Sequence, residues 1–134
     1  MNFKRILIAG LAVFVFFQAL DYLFHGIVLG PTYQSLSSIW RPDMMNYMWL
    51  MALASLIFSF VFVFIFAKGY EGKGLLEGVR FGFVLSFLVN VPGCFGQFAM
   101  YPLPFALVLE WLAFGFAEYI VAGIITAAIY RPAK

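Results

Sequence analysis

Four ionisable side chains stand inside stretches that are otherwise apolar: Asp21, His25, Glu110 and Glu118. Such groups are costly in a membrane and characteristically face protein or water, where they serve ions, protons or ligands. Asp21 and His25 are four residues apart, so they share one helical face, with Gln18 and Tyr22 beside them. Glu110 and Glu118 lie roughly 80° apart around one helix. Carboxyls and an imidazole in apolar surroundings suit proton coupling, ion coupling or the binding of a polar ligand group. Asn90 and Gln97 add uncharged polar atoms, and Arg41 is placed to act as a counter-ion. The expected polar site is therefore Asp21, His25, Asn90, Gln97, Glu110, Glu118 and Arg41.

A plainer role exists for each. His25 can bond Asp21 or a backbone carbonyl, Asn90 can join two helices, and Glu110 can meet interfacial water. Glu118 is hardest to explain this way, because a carboxyl at the midplane requires a partner or a proton. Other chemistries have little support. One histidine among scattered carboxylates lacks any zinc-ligand spacing, so no metal is expected. A single histidine excludes a bis-histidine haem, and nothing argues for a His–Met pair among the six methionines. There is no serine or cysteine with a base at nucleophile spacing. No catalytic residue and no cofactor are expected, and Cys94 reads as a small hydrophobe.

The elements that hold these residues follow from composition. The chain has 134 residues, 65% of them hydrophobic and 10% charged, against roughly 45–50% and 25% in soluble domains. Aromatics reach 21%, including 18 Phe. Polar groups could not cover so apolar a surface in water. A net charge of +2 gives no footprint for nucleic acid, and one cysteine excludes an internal disulfide. The fold class is an all-α polytopic membrane protein, one four-helix transmembrane domain over residues 1–134.

A helix crosses the hydrocarbon with about 20 mostly apolar residues. Four stretches qualify, at about 6–29, 47–67, 78–99 and 105–130. Gly30-Pro31 ends the first, and Asp43 is a candidate N-cap for the second. Lys68-Gly69 ends the second, Pro102 and Pro104 lead into the fourth, and Arg131-Pro132 ends it. The first run lacks a cleavage site after Leu20, so it reads as a retained span. Lys4, Arg5, Lys68, Lys73, Arg80, Arg131 and Lys134 fall on one side and Arg41 alone on the other. That bias predicts cytoplasmic termini. At about 1.5 Å per residue, Asp21 then lies roughly 12 Å and His25 about 6 Å from the outer end of span one. By the same count Glu110 lies roughly 9 Å and Glu118 about 21 Å below Pro104.

In the outer loop, Tyr33, Leu36, Ile39 and Trp40 recur at helical spacing, which predicts a short interfacial helix or a lid over the bundle. Gly78, Gly82 and Ser86 form a small-residue stripe on the third span, continued by Asn90, that lets a neighbour approach. Ala113/Ala117 and Gly123/Ala127 repeat that spacing on the fourth. Pro92 is expected to kink the third span. Phe58, Phe60, Phe62, Phe64 and Phe66 alternate in sequence and so spread around their helix, which reads as a lipid-facing or peripheral span.

Asp21-x-x-x-His25-Gly26 is followed by Tyr33 and Trp40-Arg41-Pro42. Further along come Gly72-x-Gly74, Glu77-Gly78-x-Arg80-x-Gly82 and Trp111…Glu118…Gly123…Tyr130-Arg131-Pro132. This pattern resembles short four-helix inner-membrane proteins of bacteria, of the domain-of-unknown-function type. The resemblance implies a bacterial inner membrane and four spans, and brings no activity with it. The functional expectation is a non-enzymatic protein that binds a small ligand in the outer half of the bilayer, or serves as accessory subunit of a larger membrane complex or homo-oligomer. The alternative is a small proton- or ion-coupled transporter working through its buried carboxylates. The partner common to all readings is membrane lipid.

Overall fold

The computed structural model describes residues 1–131. Pro132, expected to end the fourth span, and Lys134, one of the seven cations on the terminal side, lie outside the described residues. Among the described residues the structure is helical, and four helices are long and apolar enough to cross a membrane. The fold is a four-helix multi-pass bundle.

Helix α1 (Phe3–Asp21) starts three residues earlier than the apolar run suggests. The Asn2 side chain accepts the Arg5 N–H at 3.2 Å and so caps the first turn. The same rod continues as a π-helical turn, Tyr22–Val28. A short helix α2 (Gly30–Ser35) follows. Helix α3 (Met48–Lys68) is entered through a 3-10 turn, Met44–Tyr47. Asp43 does not cap it, because its carboxylate is taken by Arg41 Nε at 2.6 Å. Helix α4 (Leu75–Met100) also starts three residues early. Glu77 in its first turn accepts the N–H of Glu71 at 2.6 Å and of Lys73 at 2.8 Å, holding the loop against the helix end. Gly72 and Gly74, with φ of 77° and 75°, turn the chain there in the left-handed region. Helix α4 runs unbroken through Pro92, and α5 (Phe105–Ile129) completes the bundle.

The start of α1 and the end of α5 meet on one face of the bundle, the terminal face. Arg5 Nη1 donates to the Ile129 carbonyl at 3.4 Å, and Tyr70 from the 69–74 loop sets its ring against Tyr130. The opposite, or loop, face carries α2. Leu36, Ile39 and Trp40 pack over Cys94, Leu103 and Val108 at the ends of α4 and α5. The helix in this loop is only six residues long, and the apolar residues beyond it sit on protein, as a lid would.

Helices α4 and α5 make the tightest contact. Gly78, Gly82 and Ser86 are buried against α5. A Cβ on Gly78 would run into the Gly123 carbonyl, and one on Gly82 into the Tyr119 carbonyl. Small residues let two backbones come this close where lipid gives no hydrophobic drive to associate. Gly123 and Ala127 lie in the same contact, but Ala113 and Ala117 face outward. Gly115, between those two alanines, is the residue turned toward α4.

The expectation of a lipid-facing Phe run is corrected. Phe62 and Phe66 are 1% and 2% exposed and form the centre of the core with Phe17 and Tyr119. Residues 58, 62 and 66 recur every fourth position inside the alternating run, which places them on one helical face. Only Phe64 of the five is exposed. Phe62 and Phe66 also reach Phe81 of α4, with ring centres 4.7 Å and 5.3 Å away. Elsewhere α3 and α4 come close at isolated points at most, while α1 packs on both α3 and α5.

Candidate functional site

The lower part of the site is an aromatic floor. Phe17 of α1, Phe58 and Phe62 of α3 and Tyr119 of α5 set their ring centres 5.5–6.3 Å apart, in tilted and edge-on pairs. Above it lies a cavity of about 380 Å³ to which all four long helices contribute. Asp21 enters from α1 one turn beyond Phe17. Ala54 and Ser55 line it from α3, Asn90 from α4, and Glu118 from α5.

Glu118 decides the character of this cavity. It is 7% exposed, and among the described residues its Oε1 has no hydrogen-bond partner. The Asp21 carboxyl lines the same cavity. Two ionised carboxylates can only accept, so a close approach of the two requires a shared proton or a cation between them. Asn90 is held by its amide, which donates to Ser86 Oγ at 2.8 Å. Gly115 makes room for it, since a Cβ there would lie 2.7 Å from the Asn90 side chain.

The second half of the site lies nearer the loop face. Leu29 N–H bonds the Phe24 carbonyl five residues back at 2.8 Å, the spacing of a π turn. Pro31 has no N–H with which to continue the α1 ladder. The chain therefore turns into α2 and returns Tyr33 over His25, with Tyr33 Oη 2.5 Å from His25 Nδ1. Trp111 of α5 donates its indole N–H to the same phenol oxygen at 2.7 Å, and Trp40 donates to the Tyr33 carbonyl at 3.0 Å. The direction of the Tyr33–His25 bond follows the imidazole tautomer, and the other ring nitrogen, His25 Nε2, lies 4.0 Å from Asp21 Oδ1. Burial pushes the Tyr33 phenol up to about 12. The negative charges of Glu110 and Asp21 add to this, and the Trp111 hydrogen bond opposes it. A line of polar side chains thus runs from the lid, through Tyr33 and His25, to Asp21 and Glu118 in the cavity.

Asp21, Glu118 and Asn90 share the cavity, and His25 adjoins it. Three expected members stand outside. Glu110 and Gln97 are exposed on the bundle exterior, because each faces away from the helix pair that carries it. Arg41 stays in the loop, paired with Asp43 and lying over the Tyr47 ring at 4.1 Å; its short-range partners hold it away from the carboxyls. Ser55, Phe58, Phe17 and Tyr119 belong to the cavity, and Tyr33 and Trp111 to the contact chain, although the residue types alone did not single them out. Phe17 precedes Asp21 by four residues and Tyr119 adjoins Glu118, so spacing from the two carboxyls was the available signal. No group of three His, Cys, Asp or Glu side chains that could hold a metal is present among the described residues. No protein-family model, curated protein or solved structure matches the chain.

Proposed function

We propose that this protein is a small, non-enzymatic binding protein of the bacterial inner membrane, with both termini cytoplasmic, and that the cavity bounded by Asp21, Asn90 and Glu118 receives a small ligand in the outer half of the bilayer. The observation that carries this reading is Glu118: a buried carboxyl with one unpartnered oxygen, on a residue that lines an open volume. A seam that served only to join helices would pair its polar atoms across the contact. The volume falls within the roughly 300–1,000 Å³ range of small-molecule sites. The seven basic residues on the terminal side, against Arg41 alone, support the orientation.

A second reading, proton- or ion-coupled transport, is favoured by the presence of two carboxyls, Asp21 and Glu118, in one cavity, since a carboxyl can exchange its proton for a cation. Binding is the step common to both readings. It is tested by affinity-selection mass spectrometry on protein in nanodiscs, exposed to a lipid-soluble extract of the producing cells. Wild-type protein is expected to retain compounds that Ser55→Trp, which fills the cavity, does not. Identical retention by both proteins, or none by either, overturns the proposal.

A further inference from the structure

We infer that the ligand of this cavity is an amphiphilic organic ammonium ion, with an N–H-bearing cationic head seated on Glu118 and Asp21 and an aromatic or aliphatic body on the floor made by Phe17, Phe58 and Tyr119. The inference rests on the cavity being a ligand site, as proposed above, and adds the ligand's chemical class.

The charge comes first. The cavity holds two carboxyls and no basic side chain apart from His25 at its edge, so an anion would be repelled. Glu118 Oε1 is a buried acceptor that lacks a donor. An ammonium seated against the Glu118 carboxyl supplies an N–H donor and a compensating charge in one group, which makes a charge-assisted hydrogen bond. A bare metal cation suits the site less well. Hard cations take about six to eight oxygen ligands, whereas this cavity offers two carboxyls with Asn90 and Ser55, and its remaining walls are rings and methyls. Those walls suit an organic cation, since aromatic faces attract positive charge and bury apolar surface together.

The way in supports the same class. Helices α3 and α4 come close at isolated points at most, and Ala54, Ser55 and Asn90 line the cavity from those two helices. An opening between two membrane-spanning helices leads sideways into lipid. A molecule that enters there must dissolve in lipid and still carry a charge, which is what an amphiphilic amine does.

The test compares two isosteres, 2-(1-naphthyl)ethylamine and 2-(1-naphthyl)ethanol, by equilibrium dialysis against protein in nanodiscs of zwitterionic lipid at neutral pH, with empty nanodiscs subtracted. The amine is expected to bind about tenfold or more tightly than the alcohol, a difference of roughly 1.4 kcal/mol. Glu118→Gln should remove that preference and leave the alcohol within about twofold, with Asp21→Asn giving a smaller loss in the same direction. Equal binding of amine and alcohol to the wild type overturns the ammonium inference and leaves the ligand site standing. Binding of neither compound, alongside identical extract retention by wild type and Ser55→Trp, overturns both. If Glu118→Gln does not fold, an unchanged amine preference in Asp21→Asn counts against the paired-carboxyl seat.

Discussion

Replacing Gly82 by alanine adds one methyl group where two helix backbones touch. The new Cβ would lie 2.7 Å from Ile120 Cα and nearer still to the Tyr119 carbonyl. Ordinary contact begins at 3.4 Å, so α4 and α5 must separate by at least 0.7 Å at this point. Neither obstacle is the mobile end of a side chain, so local repacking gives no relief. Forced separation of this kind costs about 1–3 kcal/mol, and two clashing backbone groups place Gly82→Ala in the upper part of that range. The protein carries its own reporter. Cys94 is the single cysteine and is buried in the folded state, so a fluorogenic maleimide reads thermal unfolding without further labelling. Gly96→Ala is the control, since a Cβ at Gly96 meets nothing within 4 Å. Gly82→Ala should melt clearly below wild type and Gly96→Ala close to it. If both variants melted together with wild type, the close α4–α5 contact would be wrong.

Other expectations concern the aromatic core, the lid and the orientation. Phe62→Ala should lower stability by about 3 kcal/mol, as loss of a fully buried ring does, while Phe64→Ala, whose ring is exposed, should leave the melt nearly unchanged. Tyr33→Phe should cost about 1–3 kcal/mol by leaving the Trp111 indole without its acceptor, visible as a change in near-ultraviolet circular dichroism. The Tyr33 phenol holds its proton more tightly folded, titrating near 12 rather than 10, so its share of stability is complete below pH 10 and is lost as pH rises from 10 to 12. The Tyr33→Phe melt should therefore lack that component of the alkaline decline. A periplasmic reporter fused at the C-terminus should stay silent and one placed after Arg41 should be active; the reverse would invert the orientation proposed from the basic residues.

The fold was largely legible because a hydrophobic run of membrane length leaves the chain few alternatives. The stripe Gly78, Gly82, Ser86 was legible for a similar reason, since small residues four apart have one structural use in lipid. The floor departs from the expectation because alternation and four-residue spacing coincide at Phe58, Phe62 and Phe66, and apolar periodicity does not distinguish a lipid face from a core face when both are apolar. Asp21 and Glu118 are legible as residues out of place. Gln97 and Glu110 are polar residues in the same spans, but residue type and depth do not fix rotation about the helix axis. Arg41 has the right charge for a counter-ion, but the carboxylate of Asp43 is nearer. The π turn at Tyr22–Val28 has no composition of its own, so the meeting of His25 with Tyr33 could not be anticipated.

That π turn can also be regarded as a history. Compared with an α-helix, it accommodates one surplus residue without breaking the rod. Were these same residues to run on as plain α-helix, Asp21 and everything before it would be undisturbed. Everything after the turn would be rotated by about 100° and carried forward by about 1.5 Å. His25 would then point away from Tyr33, and α2 would leave the bundle from another side. The connection between lid and carboxyl pair thus hangs on one residue stored in this turn, and a deletion of one residue here, which cancels the turn, would disturb it less than a deletion in the regular helix before it.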